Sequence, residues 1–120
     1  MSTTPSDTDA TVDACLRVGH GFHADERERL VEALNQINRH LVGTPADEVT
    51  LEIHVKDRDH AEQRVTLEGQ VPGLPLIIAS HATDGSHDDA EVWRDVTRAR
   101  DEFIRQLDAD KDKRRPNHRH

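Results

Sequence analysis

Nine histidines, one cysteine and a helix-spaced set of arginines are the residues that could carry chemistry in this chain. Imidazoles ligate metals when two or three converge at fixed spacing. His20 and His23 stand three apart, but where a strand ends rather than along a helix, and His118 and His120 sit at the C-terminus. There is no His-Glu-x-x-His and no cysteine pair. Surface imidazoles are therefore the expected reading, with no metal site. Gly19-His20-Gly21 opens like a dinucleotide fingerprint, but Ala24 stands where the third glycine belongs, and no strand–loop–helix phosphate cradle surrounds it. Cys15 has only Arg17 as a nearby cation in sequence, which favours a buried inert thiol over a reactive one. No nucleophile–base set and no acid/base pair emerges, so no catalytic residue and no cofactor is expected, and an enzyme is not the first reading.

The arginines are more informative. Arg94, Arg98 and Arg105 fall four and seven residues apart, with Arg100 to one side. Asp95, Asp101 and Glu102 interleave with them, and residues 91–107 carry no net charge. That spacing fits a solvated helix face laced with ion pairs, and it also fits a nucleic-acid surface. Directly after it, residues 111–120 hold five basic side chains against one acid and no apolar residue. Arg105 to Arg119 is thus the most electropositive stretch of a chain whose net charge is −8. The overall acidity argues against general nucleic-acid affinity, since phosphate binding needs positive charge concentrated locally.

These groups need elements to hold them. With 120 residues, one domain is expected. No run reaches the ~18–20 apolar residues of a membrane span. The N-terminus has neither the basic nor the apolar region of a secretory signal. The lone cysteine suits a reducing, cytoplasmic setting. Residues 1–13, rich in Ser, Thr and Asp, read as a disordered acidic leader, 14–108 as the folded domain, and 109–120 as a mobile basic tail.

Within the domain, Cys15-Leu16-Arg17-Val18 alternates as a short strand. Leu30, Leu34, Ile37 and Leu41 step by four, three and four as one helical stripe, with Asp25 as the candidate N-cap and Gly43 and Pro45 as stop signals. Val49 to Lys56 alternates apolar and polar over eight residues, a strand with one wet face. Arg64 to Val71 alternates again, Pro72-Gly73 marks a turn, and Leu74 to Ala79 forms the next strand. Val92, Val96, Ala99, Phe103 and Leu107 make a second helical stripe, widened by Trp93 and Ile104, with Asp88 or Asp89 as its cap. The fold class is α+β, in the order β-α-β-β-β-α: a four-stranded sheet with two helices packed on one face. Three strands joined by short links imply an antiparallel meander. A right-handed crossover joins the first two strands if they are parallel neighbours.

Over residues 14–115 this chain resembles the ribosome hibernation promoting factor family of ribosome-associated inhibitors. The likeness lies in Val18-Gly19-His20 at the end of strand one and in the alternating Val49–Val55 strand. It continues through Val65–Val71, Pro72-Gly73 and Leu74–Ala79, Glu91-Val92-Trp93 at the start of helix two, and Arg105-Gln106-Leu107 with Lys111-Asp112-Lys113-Arg114 at its exit. The resemblance implies binding without catalysis. Family members lodge in the decoding region of the small ribosomal subunit, overlap mRNA and tRNA, and hold translation off under stress or in stationary phase. It also implies rRNA contacts by Arg27, Arg29 and Arg39 on helix one, by Arg98 and Arg105 on helix two, and by Lys111, Lys113, Arg114 and Arg115 at its exit. The partner would be small-subunit rRNA, with no membrane, no small-molecule substrate and a monomeric protein. The departures are a helix one poor in lysine, only three lysines in the whole chain, and no second domain of the kind that pairs ribosomes. Two alternatives remain. One is a diverged relative that binds protein through the sheet face of Thr50, Glu52, His54 and Lys56. The other is a small enzyme or double-stranded-RNA module of similar layout.

Overall fold

The structure, a computed structural model, describes residues 9–82 and 92–114, with the side chains of Lys113 and Arg114 outside that description. Its elements are α1 (Val12–Cys15), β1 (Leu16–Val18), α2 (Arg27–Leu34), β2 (Thr50–Lys56), β3 (Arg64–Gln70), β4 (Ile77–Ala82) and α3 (Val92–Arg114). The strands form one sheet in the order β1-β2-β3-β4. β1 runs parallel to β2, with Leu16 opposite Leu51, and the other two pairings are antiparallel. The architecture is α+β, and from β1 onward it has the expected order β-α-β-β-β-α, with the short helix α1 added before it.

Alternation decides which face is covered. Leu51, Ile53 and Val55 of β2, Val65 and Leu67 of β3, and Ile77 and Ala79 of β4 are buried on one face. They share a single core with Leu30 and Leu34 of α2 and with Val92, Val96, Ala99, Phe103 and Leu107 of α3, so the helices lie on that one side. The opposite face stays open to water.

At Gly21 the chain passes so close to β2 that an added Cβ would stand 2.2 Å from the Val55 carbonyl oxygen, and φ is +92°. Glycine is required there on both counts. Gly19 N–H donates to Ile53 O (2.7 Å) and Val55 N–H to His20 O (2.8 Å), extending the pairing beyond β1.

Several boundaries differ from the sequence reading. Residues 9–13, expected in the leader, belong to the fold. Ala10 and Val12 are buried, Asp9 bridges Pro45, and Val12 N–H donates to Asn38 Oδ1 (2.7 Å). Cys15 closes α1 instead of opening a strand; it is buried, and desolvation raises its thiol pKa. Helix one is segmented: a 3-10 turn at Ala24–Glu26, then α2, then a 3-10 stretch at Asn35–His40. Its stripe is buried throughout: Leu34 and Ile37 are one 3-10 turn apart, and Leu41 is the residue that caps the segment. The N-cap position is His23, whose N–H is taken by Glu26 Oε1 (2.8 Å), and Asp25 is exposed within the first turn. β4 starts at Ile77; Leu76 and Ile78 face out at 52% and 51% exposure. α3 continues to Arg114, so the first half of the expected tail is helical. The proposed caps Asp88 and Asp89, residues 1–8 of the leader and residues 115–120 lie outside the described residues.

Candidate functional site

Two side chains of α3 donate to backbone carbonyls of helix one. Arg100 donates from Nη1 to Ala33 O (3.0 Å), near the end of α2, while Nε and Nη2 grip Asp101 Oδ1 at 3.0 and 2.8 Å. Further along, Lys111 Nζ donates to His40 O (2.6 Å), where the 3-10 stretch ends, and His40 Nδ1 lies 3.1 Å from Asp108 Oδ1. α3 is thus fastened to helix one at two places.

Where α3 begins, arginines and rings alternate. The Arg29 guanidinium lies over Trp93, 4.0 Å from the ring centroid. Trp93 meets Phe22 at 6.1 Å with a 50° tilt, and Arg58 stands over Phe22 at 5.4 Å. Arg58 then forks onto Glu26, Nη1 to Oε1 at 2.8 Å and Nη2 to Oε2 at 2.7 Å, and reaches Gly21 O at 3.1 Å. The Arg58 hydrogen bonds hold the Glu26 carboxyl down at about 2, against an opposing effect of burial and with help from the His23 N–H. Arg58 lies in the turn after β2, so this pair ties that turn to the entrance of helix one.

Beside it, Gln63, fully buried, accepts from Asp59 N–H at Oε1 (2.8 Å) and donates from Nε2 to the buried Asp95 Oδ2 (2.8 Å). His81 Nε2 stands 3.6 Å from Asp95 Oδ1. Ser80, His81, Arg98, Asp101, Glu102 and Arg105 line an open cleft of about 330 Å³ between β4 and α3. Arg105 forks onto Glu102 at 3.1 and 2.6 Å, which lowers the Glu102 pKa and raises that of Arg105.

The expected RNA-contacting residues separate into distinct environments. Arg27 is half-buried and engaged along α1, donating to Asp13 Oδ1 (2.9 Å), Asp13 O (2.7 Å) and Leu16 O (3.2 Å). Arg105 and Lys111 are engaged as described. Arg29, Arg39 and Arg98 are exposed and make no hydrogen bond or ion pair among the described residues. Lys113 and Arg114 belong to the last turn of α3, and Arg115 lies outside the described residues. Sequence reasoning missed Arg58, Gln63 and Asp95. Asp95 read as one more charge of a solvated face, although its place three residues after Val92 and four before Ala99 sets it beside the apolar stripe.

The open sheet face carries paired like charges. Glu52 stands opposite Glu68, with Arg17 beyond it on β1, and Lys56 stands opposite Arg64. Like charges directly opposed across strands cost stability. Among the described residues no three His, Cys, Asp or Glu side chains converge as a metal site would require, and no helix is long and apolar enough to cross a membrane. No protein-family model matches the chain, and neither does any curated protein sequence.

Proposed function

We propose that this protein binds rRNA of the small ribosomal subunit at the decoding region and excludes mRNA and tRNA, acting as a hibernation factor without catalysis. The carrying observation is the layout. A parallel β1/β2 pair is followed by an antiparallel meander, with both helices on one face and locked together through Arg100–Ala33 and Lys111–His40. This is the arrangement that the resemblance implies for the family. A rigid helical layer suits recognition of irregular RNA by shape, and Arg29, Arg39 and Arg98 offer unpaired guanidinium groups to phosphates. α3 itself runs on to Arg114.

The test is sedimentation of the purified protein with bacterial ribosomes through sucrose gradients at low and moderate salt. Co-migration with the small subunit or whole ribosome, lost as salt rises and displaced by mRNA with tRNA, is the expected result. No co-migration at low salt overturns the reading. The open sheet face favours a second reading, a protein-binding module. Exposed Leu76 and Ile78 beside the opposed Glu52 and Glu68 form a mixed apolar and acidic surface, which a basic, partly apolar protein segment would match.

A further inference from the structure

We infer that the Arg29–Trp93 stack is a platform for an unpaired nucleobase, which would lie on the outer face of the Arg29 guanidinium and complete a three-layer stack on the indole. This inference deepens the RNA-binding reading and rests on it. The Arg29 Cζ lies over the indole 4.0 Å from the ring centroid, a distance at which a guanidinium can lay one face on the ring and keep the other outward. Arg29 is exposed and makes no hydrogen bond or ion pair among the described residues, which leaves its other face and its N–H groups to a ligand. Flat guanidinium planes and aromatic rings are the surfaces on which proteins stack splayed-out bases, whereas an ammonium offers no such plane.

The platform is braced from below. Trp93 is half-buried and leans on Phe22, Phe22 is covered by Arg58, and Arg58 is held by both carboxylate oxygens of Glu26. Two of the chain's three aromatic side chains are thereby committed to one point at the junction of helix one and α3, while the third, Phe103, is wholly buried. A prealigned cation loses little rotamer freedom when a base arrives. An unpaired base fits this geometry and a duplex does not, because paired bases are already stacked and hide their faces.

Trp93 is the only tryptophan, so its emission reports on the platform directly. The test titrates the full chain at low salt with a mixed-sequence single-stranded RNA decamer and with its blunt duplex. Affinity is read in parallel from the anisotropy of a labelled decamer. The expected result is a change in Trp93 emission with the single strand and none with the duplex. Arg29→Lys, which keeps the charge and loses the plane, should weaken the single strand roughly fivefold or more, nearly as much as Arg29→Ala. Trp93→Leu should do the same where its melting curve shows it folded. Arg29→Lys binding as the wild type does, or emission unmoved by the single strand, overturns the stack. Ribosome sedimentation separates the two claims. Wild type and Arg29→Lys co-migrating to the same extent at every salt concentration, with equal decamer affinity, removes the platform and leaves ribosome binding. Emission that responds to the decamer while wild type fails to co-migrate keeps the platform and removes the ribosome.

Discussion

The ring of Phe103 on α3 occupies the space that a side chain on Gly69 of β3 would need: a Cβ there would meet Phe103 Cζ at 2.5 Å and Cε2 at 2.6 Å. Helix and sheet are locked by this knob in a glycine-sized hole. Gly69→Ala should therefore destabilise the fold by about 1–3 kcal/mol through overpacking. Phe103→Ala, which leaves the hole empty, should cost roughly 3–5 kcal/mol. Combining Gly69→Ala with Phe103→Leu should cost less than the two single changes added, because the smaller side chain makes room for the methyl. Thermal melts of wild type, Gly69→Ala, Phe103→Leu and the double variant check this, with Phe103→Ala measured beside them, and simple additivity would show that the two residues are not coupled.

Gln63 joins the turn after β2 to α3, and it does so while fully buried. Its carbonyl takes the Asp59 N–H, and its amide reaches the Asp95 carboxylate. Gln63→Leu should cost about 1–3 kcal/mol, since both partners lose a bond in a buried setting. Gln63→Glu keeps the shape but sets a second carboxylate against Asp95, so it should be worse at neutral pH and recover on acidification. Urea titrations at pH 7 and pH 5 read the difference. Equal stability of the Gln63→Glu protein at both values would show that the two carboxylates do not face each other.

The Arg58–Glu26 pair gives the fold a sensitivity to acid. The folded carboxyl is held near 2, below its ordinary value of 4.5. A lowered folded pKa contributes stability that is fully present above the unfolded value and is lost as pH falls through the folded one. Wild type should therefore lose this contribution between about pH 4.5 and pH 2. Glu26→Gln should be less stable at pH 7 by about 1–3 kcal/mol and should show less loss over that window. Parallel acid melts that keep the two proteins a constant distance apart would rule the pair out as a source of acid sensitivity.

How far the sequence reaches depends on whether a signal is periodic or spatial. The stripes Leu30–Leu34–Ile37–Leu41 and Val92–Val96–Ala99–Phe103–Leu107 are buried as the spacing requires, and the alternation in β2 names its wet face residue by residue. Periodicity reports burial and says less about how the backbone achieves it. That is why the change from α to 3-10 at Asn35 was not legible. Polar composition misled at both ends. Ala10 and Val12 are too few to make a pattern, yet each finds a pocket, and Lys111 reads as tail until His40 supplies a carbonyl from a segment 71 residues away. The Arg29–Trp93–Phe22–Arg58–Glu26 series unites residues from three separate stretches, and only the sheet register and the helix crossing bring them together.

The arginines that looked equivalent along the chain should behave differently when changed singly. Arg27 closes the C-terminal end of α1 with bonds to Asp13 O and Leu16 O, so Arg27→Ala should lower stability by about 1 kcal/mol and leave ribosome affinity at matched folded concentration unchanged. Arg39 and Arg98 are exposed, so each alanine variant should melt as the wild type does. If the RNA reading holds, each should also bind ribosomes more weakly and reduce the slope of log affinity against log salt by about 0.7–0.9 per lost phosphate contact. Arg105 stands between these cases. Glu102 occupies Nε and Nη2 of Arg105 and sets a carboxylate beside the guanidinium that repels a phosphate, so Glu102→Gln should strengthen binding where Arg105→Ala weakens it. Changing Arg105, Lys113, Arg114 and Arg115 together to Ala should flatten the salt dependence most of all. A salt slope unmoved by that fourfold change would take the α3 exit out of the binding surface and leave Arg29, Arg39 and Arg98 to carry it.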